Sequence, residues 1–347
     1  MMRRITLFLS GEYPEISKAE ARGVLEAEGW EFDVVEEHEQ VLIIETNANP
    51  TDLAKRLGMC HWIGENFATA KRENIKEAIS NSDIIDFLSP ARSLAIRTKK
   101  IRNSMAEMDT QKLTKEIADT LLERFDYEIN LEIPDNEIYI LLSDGKCIVS
   151  LILARVDRRK IRERRPPKRA AVHPSTLQPF FARAMVNLAR TPRNGTFMDP
   201  FCGVGGILLE AGLIGAKVRG IDIKEKQIEG AERNLSEHNI RDFELSCEDM
   251  RKTNIRKRFD AIATDPPYGR QASTGGADIR GLYEEALPVL SEMLKDGRFL
   301  CLTAPSQIEI PELTKNLDLK ILEKYRNRVH KDLTRIIYVL RKNRKQD

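Results

Sequence analysis

A short motif that combines a carboxylate, two prolines and an aromatic ring follows an apolar run in the C-terminal half of the chain. The run, residues 259–262, predicts a buried strand, and Asp265-Pro266-Pro267-Tyr268 comes directly after its end. Proline fixes φ and removes a backbone donor, so the turn presents hydrogen-bond acceptors rigidly. The Asp265 carboxylate and the Pro266 carbonyl can accept hydrogen bonds from an exocyclic amine, while Tyr268 stacks on the base that carries it. These residue types indicate chemistry on the amino group of a nucleobase.

A glycine-rich turn lies further upstream, between a predicted strand at 196–199 and a predicted helix at 207–213. Glycines in such a turn let the backbone approach a cofactor closely. The pattern is G-V-G-G and not G-x-G-x-x-G, which argues against a dinucleotide site. The candidate cofactor-binding residues of this turn are Asp199, Pro200, Phe201, Cys202, Gly203 and Gly205.

Two further acidic positions follow strands of the same region. A predicted strand at 217–223 contains Asp222 and Ile223 at its end. Asp222 lies about 20 residues after the glycine turn, where a nucleotide-type cofactor offers its ribose hydroxyls. A predicted strand at 243–247 leads to Asp249 and Met250, of which the first can accept a hydrogen bond from an adenine amine and the second can pack on the ring.

The order of these elements is more specific than any one of them. In a doubly wound sheet the first and fourth strands are neighbours at the topological switch point, so we expect Asp199 and Asp265 to face one cavity. The set resembles the S-adenosylmethionine-dependent, Rossmann-like amino-methyltransferases that carry a D/N-P-P-Y/F motif. The resemblance implies S-adenosylmethionine as the cofactor and direct methyl transfer to an amine.

Composition describes a globular protein with an ample core. The chain has 347 residues, of which 41% are hydrophobic and 32% charged, and its length predicts two or three domains. No apolar run approaches the ~18 residues of a membrane span, and no signal-peptide pattern opens the chain, so we expect a cytoplasmic protein without a membrane partner. The five cysteines are scattered singly, which predicts reduced, mostly buried thiols and no metal site.

Charge is distributed unevenly along the chain. Residues 1–154 carry 18 Lys/Arg and 28 Asp/Glu, whereas residues 155–169 carry nine basic residues and two acidic ones. Such a basic run is most often a solvated connector, but beside a base-modifying site phosphate contact is favoured. The RNA-binding candidates in this run are Arg158, Arg159, Arg162 and Arg165. In the acidic N-terminal part RNA contact would have to be local, for instance through Arg97, Lys99, Lys100 and Arg102.

The N-terminal part alternates short strands and helices. The first predicted elements have the order β-α-β-β-α-β of a ferredoxin-like unit, with strands at 4–9, 32–35, 41–45 and 62–68 and helices at 14–28 and 53–57. A second α/β unit follows, with helices at 75–88 and 110–125 and strands at 93–98, 130–133, 137–143 and 146–154. Asp144-Gly145 predicts a hairpin turn between its last two strands. A helix at 176–190 opens the catalytic part.

Sequence features spread over essentially the full length carry a second resemblance. They are Leu9-Ser10-Gly11-Glu12, the segment 151–155, the join from 165–167 to 173–177, and D-P-F-C-G-V-G-G at 199–206. Together they resemble the archaeal tRNA guanine-10 N2-methyltransferases, which join a ferredoxin-like domain and a THUMP RNA-binding domain to a Rossmann-like class I methyltransferase domain. The resemblance implies an N-terminal domain at 1–66, a THUMP domain at 67–155, a basic linker at 156–174 and a methyltransferase domain at 175–347. It also places Thr176 beside the cofactor.

The implied function is methylation of the N2 of guanosine 10 in tRNA, once or twice. We expect a monomer, since RNA-reading and catalytic parts are present in one chain. Three alternatives remain. Relatives that act on other tRNA guanosines share these motifs. An adenine-N6 methyltransferase would share the D-P-P-Y motif but would need a domain that reads duplex sequence, whereas the extra mass here is N-terminal and acidic. A non-catalytic RNA-binding scaffold would have no need to keep Asp199, Asp222, Asp249 and Asp265.

Two residues invite other mechanisms. Cys202 could act as the nucleophile of a pyrimidine-C5 methyltransferase, but it lies in the cofactor turn and not at the Asp265 motif, so a packing role is favoured. His173, which precedes Pro174, is interpreted as an ordered linker residue and not as a catalytic base.

Overall fold

The computed structural model describes residues 2–88, 93–124, 126–174, 176–255, 257–267, 279–330 and 333–344. They form two compact units. The first contains the residues up to Lys18 together with 30–55 and 60–156, and the second contains 19–29, 56–59 and the residues from Asp157 onward. Among the described residues each unit is built around one β-sheet.

The chain begins with the predicted ferredoxin-like order of elements. These are β1 (Arg3–Leu9), α1 (Pro14–Glu28), β2 (Phe32–His38), β3 (Val41–Thr46), α2 (Pro50–Arg56) and β4 (Cys60–Lys71). The four strands are antiparallel and lie in the order β2-β3-β1-β4, which confirms the ferredoxin-like prediction. Helix α2 begins earlier than expected because the Asn49 side chain caps it, accepting hydrogen bonds from the amides of Thr51 and Asp52 at 2.9 and 3.1 Å.

The sheet continues through a second set of elements. These are α3 (Ile75–Ser80), α4 (Ile84–Phe87), β5 (Ser93–Lys100), α5 (Thr110–Leu122), β6 (Glu128–Ile129), β7 (Asn136–Ser143) and β8 (Lys146–Arg155). Strand β4 pairs with β1 on one side and with β8 on the other, so the described strands of this unit form one sheet in the order β2-β3-β1-β4-β8-β7-β5-β6. The predicted domain boundary at 66/67 falls inside β4.

Two predicted elements of this part are wrong. The single helix predicted at 75–88 is two helices, because Ser82 donates its hydroxyl hydrogen to the Ile79 carbonyl at 2.8 Å and thereby competes with the helical backbone. The strand predicted at 130–133 is a turn, since the Asn130 side chain accepts hydrogen bonds from the amides of Glu132 and Ile133 at 3.1 and 3.0 Å. The edge strand ends one residue earlier, at Ile129.

The hairpin turn at Asp144-Gly145 is confirmed. Its φ angles of 48° and 75° are both left-handed, as a two-residue type I′ turn requires. The turn joins β7 to β8, which pair from Ile138–Leu151 to Ser143–Lys146.

The second unit contains a doubly wound sheet. Its elements are α6 (Arg158–Glu163), α7 (Pro179–Leu188), β9 (Thr196–Asp199), α8 (Gly206–Leu213), β10 (Lys217–Asp222), α9 (Glu225–Glu237), β11 (Phe243–Cys247), β12 (Phe259–Thr264), α10 (Ile279–Met293), β13 (Leu294–Pro305), α11 (Ile310–Leu313), β14 (Leu319–His330) and β15 (Leu333–Lys342). The described strands lie in the order β11-β10-β9-β12-β13-β15-β14. The first five are parallel, and β15 runs antiparallel to both neighbours.

The central strands are apolar because both faces of the sheet are covered. In β12, Phe259, Ala261, Ile262 and Ala263 expose 1% or less of their surface, as in parallel sheets flanked by helices on both sides. The helix predicted at 176–190 is shorter, because α7 begins at Pro179, a residue favoured in the first turn, and ends at Leu188.

Buried ion pairs and hydrogen bonds hold α7 within the second unit. Glu20 is fully buried and accepts hydrogen bonds from the amides of Gly58 and Met59 at 2.8 and 2.7 Å and from Nδ2 of Asn187 at 2.9 Å. Arg56 pairs with Glu28 and donates to the Thr191 carbonyl at 2.9 Å. A buried charge is tolerated only when it has such partners. These bonds therefore fix the helix that packs against β12 and β13.

Candidate active site

Four acidic residues lie at or just beyond the carboxyl ends of adjacent parallel strands. Asp199 ends β9, Asp222 ends β10 and Asp265 directly follows β12. Asp249 follows β11 after one intervening residue. Because the strand order changes direction between β9 and β12, a crevice forms at this edge of the sheet. The residues singled out from sequence therefore reach the same edge.

A buried hydrogen bond joins the two central strand ends. Thr264 donates its hydroxyl hydrogen to Oδ1 of Asp199 at 2.7 Å, and the amide of Phe201 donates to the same oxygen at 3.2 Å. Asp199 is 1% exposed. Its burial raises the pKa of its carboxyl to about 7, against the lowering effect of these two bonds and with a further rise from the charges of Asp265 and Asp222. Asp199 is therefore close enough to both Asp222 and Asp265 to be affected by their charges.

The glycine turn is held by the neighbouring strand β10. The amide of Gly203 donates to Oδ2 of Asp222 at 3.0 Å, and the amide of Cys202 donates to the Ile221 carbonyl at 2.9 Å. Gly203 and Gly205 have φ angles of 51° and 77°, which residues other than glycine rarely adopt. A Cβ on Gly203 would meet no atom within 4 Å, so this part of the turn faces open space. The backbone is thus available to a ligand.

Asp222 has two roles in this arrangement. Oδ1 accepts the amide hydrogen of Lys224 at 3.0 Å, while Oδ2 fixes the glycine turn. Burial raises the pKa of this carboxyl, and the two amide hydrogen bonds oppose the rise. The next residue, Ile223, is 48% exposed and offers an apolar surface beside the acid.

The other residues of the turn lie inward. Pro200 is buried, and Phe201 packs against the hydrophobic core. Cys202 is 5% exposed, and burial raises the pKa of its thiol well above its ordinary value. Because the thiolate is the nucleophilic form, the structure supports the packing role of Cys202. Of the five cysteines, all of them among the described residues, only Cys247 is exposed.

Asp249 has a partner that the sequence analysis missed. It caps the short 3₁₀ turn Met250–Lys252, and Arg251 donates from Nε and Nη2 to its carboxylate at 2.9 and 2.6 Å. The hydrogen bonds from Arg251 hold the pKa of Asp249 below its usual range. Any adenine amine at Asp249 would therefore share the carboxylate with Arg251. Met250 is 1% exposed and belongs to the core.

Thr176 lies beside the glycine turn. Its hydroxyl oxygen accepts the amide hydrogen of His173 at 3.3 Å, and its own amide donates to the His173 carbonyl at 2.9 Å. A Cβ on Gly206, the first residue of α8, would lie 3.4 Å from Cγ2 of Thr176. The threonine is therefore adjacent to the start of the helix that follows the turn.

Asp265 is held by two residues from distant strands. Thr303 on β13 donates its hydroxyl hydrogen to Oδ1, and Nη2 of Arg335 on β15 lies 3.3 Å from Oδ2. Burial raises the pKa of Asp265, while the positive charge of Arg335 and the hydrogen bond from Thr303 lower it. Tyr283 fixes Thr303 in turn by donating to its carbonyl at 3.0 Å. Thr303 and Arg335 belong to no recognisable motif, so the sequence analysis did not identify them as site residues.

The rest of the motif is only partly described. Pro266 is buried and Pro267 is half-buried, so the turn after β12 begins as a packed segment. Tyr268 lies outside the described residues, and its expected role in stacking stays a prediction.

The basic candidates of the first unit differ in how they are held. Arg97 donates to Oε1 of Glu137 at 2.6 Å and Lys100 to the Ala106 carbonyl at 2.5 Å. Lys99 is exposed, with its Nζ 4.9 Å from the centre of the Phe8 ring. Arg102 pairs with Glu39 at 2.6 Å. Lys99 and Arg102 are thus exposed, whereas Arg97 and Lys100 are half-buried.

The basic run at 155–169 is partly helical, and its arginines fall into two groups. Arg158 lies 4.5 Å from the centre of the Phe180 ring and is half-buried. Arg159 is 90% exposed and pairs with Glu163 at 3.2 Å. Arg162 and Arg165 are also exposed. Three of the four predicted RNA-binding arginines of this run therefore face solvent.

The described residues contain neither a metal-binding cluster nor a membrane-spanning helix. Within the described ranges, no group of three or more His, Cys, Asp or Glu residues is arranged to hold a metal ion. No helix in this part of the chain is long and apolar enough to cross a membrane.

The second unit has the architecture of a class I, Rossmann-like methyltransferase, and comparisons with known proteins agree. A sequence profile described as an RMKL-like methyltransferase domain matches residues 166–337, and a THUMP domain profile matches residues 70–152. The crystal structure of TrmN from Thermus thermophilus superimposes with a TM-score of 0.55 at 19% identity, covering 98% of this chain and 99% of TrmN. SMU.472, solved in complex with S-adenosylhomocysteine, gives a TM-score of 0.52 at 14% identity and covers 100% and 99%. At these identities the likeness establishes the fold alone.

A full-length relative establishes the family. The tRNA (guanine(10)-N2)-dimethyltransferase of Methanothermobacter thermautotrophicus is 34% identical over 335 residues, which is 96% of this chain and 98% of the relative. The chain belongs to the family of archaeal tRNA (guanine(10)-N2)-dimethyltransferases. The family resemblance inferred from the motifs is confirmed.

The buried carboxyl of Asp199 should make stability depend on pH. The pKa is raised from 3.8 to about 7, so the folded protein holds this proton more tightly than the unfolded chain does. The cost of ionising Asp199 is therefore present above about pH 7 and fades as the pH falls toward about 4. Asp199→Asn keeps the oxygen that accepts from Thr264 and Phe201, so without cofactor it should melt a few degrees above the wild type near pH 8. The gap should shrink near pH 5, which thermal denaturation at both pH values will test.

Asp260→Asn is the matched control for this prediction. Lys295 lies 2.9 Å from the Asp260 carboxylate, and the pKa of Asp260 is lowered. The ionised carboxylate of Asp260 stabilises the fold at pH values above the pKa that Asp260 has in the unfolded chain. Asp260→Asn should therefore melt below the wild type near pH 8. If the difference in melting temperature between Asp199→Asn and the wild type is the same at both pH values, ionisation of Asp199 does not cause that difference.

Proposed function

We propose that the chain transfers methyl groups from S-adenosylmethionine to the exocyclic N2 of a guanosine in tRNA, with guanosine 10 as the target. The products are N2-methylguanosine and then N2,N2-dimethylguanosine. The hydrogen bond from Thr264 to Asp199 carries the proposal, because it brings the D-P-P motif next to the carboxylate of the cofactor turn. Membership of a family whose full-length relative is named a tRNA (guanine(10)-N2)-dimethyltransferase supports the choice of substrate.

The residues at the strand ends fit S-adenosylmethionine. Asp222 has the position that accepts ribose hydroxyls, and the exposed side chain of Ile223 can pack on the adenine ring, whose amine Asp249 can bind. The open space over Gly203 leaves room for the sulfur-bearing chain along the glycine turn. When bound there, the cofactor supplies an electrophilic methyl carbon on a positively charged sulfur.

Residues of the D-P-P motif prepare the amine. The lone pair of the guanine N2 is delocalised into the ring, so the amine is a poor nucleophile. Asp265 and the Pro266 carbonyl accept hydrogen bonds from the two amine hydrogens and direct the lone pair toward the methyl carbon. The cofactor would supply the methyl group and leave as S-adenosylhomocysteine, and Asp265 would accept the proton that the methylated amine loses. Tyr268 holds the extruded base by stacking, against an unstacking cost of a few kcal/mol, and positioning supplies much of the rate.

Product identification tests the proposal directly. Purified protein, labelled S-adenosylmethionine and an unmodified tRNA transcript should give N2-methylguanosine and its dimethyl form at position 10, detected by nuclease mapping and mass spectrometry. Asp265→Ala should abolish turnover while binding S-adenosylhomocysteine normally. A transcript with inosine at position 10 is the matched control, because it lacks only the 2-amino group. Methylation of inosine, methyl-adenosine as the product, or near-normal turnover by Asp265→Ala would contradict the proposal.

The ionisation of Asp265 should depend on Arg335. The arginine lies 3.3 Å from the carboxylate and lowers a pKa that burial raises. Since an ionised Asp265 accepts hydrogen bonds from the amine, Arg335→Met should move the acidic limb of the kcat/KM profile to higher pH, by on the order of one unit. The exposed Arg326 on β14 is the control, and Arg326→Met should leave the limb in place. A lower rate for Arg335→Met with an unmoved limb would indicate a purely structural role.

The exposed arginines of the basic run are proposed to contact tRNA phosphates. Replacing Arg159, Arg162 and Arg165 with glutamine should weaken tRNA binding and lower the slope of log K against log salt by about 2, since each phosphate contact contributes ~0.7–0.9. Arg158→Met is the control, because the Arg158 guanidinium stacks on the Phe180 ring. Filter binding over a series of salt concentrations measures both slopes. An unchanged slope for the triple variant would exclude this role.

We also propose that the chain works as a monomer in the cytoplasm. RNA-binding and methyltransferase domains are present in one chain, so no second copy is needed to assemble them. The proposed substrate, a tRNA, is a cytoplasmic molecule.

A further inference from the structure

Three basic side chains follow one another on one face of the edge strand β14. They are Lys324, Arg326 and Arg328, which are spaced two residues apart and are all exposed. Successive side chains of a strand point to opposite faces, so residues two apart share a face. They pair in turn with Tyr338, Ile336 and Thr334 of β15. We call Lys324, Arg326 and Arg328 the β14 stripe.

The positive charges of the stripe are not neutralised. Other cations on strands of this sheet have acidic partners, such as Glu244 for Arg219 at 2.9 Å. Within the described part of the chain, no side chain of the stripe forms a hydrogen bond or an ion pair, although Nζ of Lys324 lies 5.5 Å from the centre of the Tyr338 ring. The acid on the same strand, Glu323, pairs with Arg190 on the opposite face.

One further acid acts on this face. Burial and, after it, the charge of Glu309 raise the pKa of Tyr338, which lies under Lys324. Glu309 is exposed, and among the described residues it forms no ion pair with the stripe. One acid beside three cations leaves a surplus of positive charge on the surface of β14.

The strand pairing places the stripe toward the edge of the sheet that carries the candidate active site. Strand β13 is parallel to β12, so the Pro305 end of β13 lies at the same edge as Asp265. Pro305 pairs with Arg335, and Arg335 pairs in turn with Asn327, which lies between Arg326 and Arg328. Strands β12 and β14 are separated by three strand spacings, on the order of 14 Å.

We infer that the β14 stripe binds phosphates of the tRNA strand that carries the target guanosine. The inference rests on the proposed function, since it takes the extruded base to lie at Asp265. A rise of about 3.4 Å per nucleotide, the value for duplex DNA, makes 14 Å equivalent to about four nucleotides. Phosphates close to the extruded base can therefore reach the stripe. Exposed lysines and arginines without acidic partners bind phosphates and fix the register of a nucleic acid.

Charged residues on an edge strand can also serve to keep another chain from pairing with the free edge. Strand β14 is 12 residues long and borders the sheet. Protection of this kind does not require the charges to share one face or to lie toward the site. The fourth Lys or Arg of the strand, Lys320, is near its other end, where a bulge after Ile321 places it on the opposite face. The stripe thus has a position that protection alone does not explain.

Filter binding of tRNA over a series of salt concentrations tests the inference. The triple variant Lys324→Gln, Arg326→Gln, Arg328→Gln should bind tRNA more weakly and lower the slope of log K against log salt by about 2, since each phosphate contact contributes ~0.7–0.9. Its affinity for S-adenosylhomocysteine should be unchanged, which also shows that it is folded. Phosphate contact does not alter the ionisation of Asp265, so the acidic limb of the kcat/KM profile should keep its position.

A matched control removes the same charge from exposed positions away from this edge of the sheet. Arg233→Gln, Arg241→Gln and Lys320→Gln, combined in one variant, should leave the slope unchanged. Phosphate ethylation interference should then locate the contacts that the stripe variant loses within about four nucleotides of the target guanosine, by the rise used above.

Three results would overturn the inference. They are an unchanged slope for the stripe variant, an equal decrease in the control, and lost contacts far from the target guanosine. Normal tRNA binding by a stripe variant that forms dimers or aggregates in light scattering would identify edge protection as the role instead. A wild-type protein that binds tRNA but methylates no guanosine would refute the proposed function, so the two failures are distinguishable.

Discussion

The hydrogen bond between Thr264 and Asp199 is the contact on which the site depends. It connects the last residue of β12 to the last residue of β9 inside a sheet whose strands are covered on both faces. Neighbouring strands are about 4.8 Å apart, so groups held at these two ends are brought close together. A methyl donor on one strand end and an amine on the next can therefore meet without any large movement. The cost is a carboxyl buried where its ionisation is disfavoured.

The acids at this edge favour a cationic ligand. Asp199, Asp222 and Asp265 interact closely enough to raise the pKa of Asp199, and burial raises the pKa of each of the three. A positively charged sulfur placed among them would relieve this repulsion, whereas its neutral product would not. Asp265 is the exception within the set, because it has its own cation in Arg335. The charge of Arg335 thus opposes the rise in the pKa of Asp265 that burial causes.

The parts of the site that the sequence could predict are local in the chain. The glycine turn, the acid that ends each strand and the D-P-P motif are each encoded within a few consecutive residues, and the sheet topology then brings them to one edge. The partners of those acids are not local. Thr303 and Arg335 reach Asp265 from strands much later in the chain, and their residue types are ordinary for a strand. The wrongly predicted strand at 130–133 has a different, local cause, since the side chain of Asn130 bonds to nearby amides and overrides the strand pattern.

The basic run shows why net charge alone does not identify a nucleic-acid surface. Judged by the number of charges alone, residues 155–169 form one cationic segment. In helix α6, however, Arg158 and Ile161 lie three residues apart and face inward, whereas Arg159 and Arg162 face solvent. Beyond the helix, Arg164 pairs with Glu210 on α8. The segment therefore has one face for solvent, available to phosphates, and another packed against the helix of the cofactor turn. RNA bound to the outer face would act on a segment whose inner face is anchored to α8.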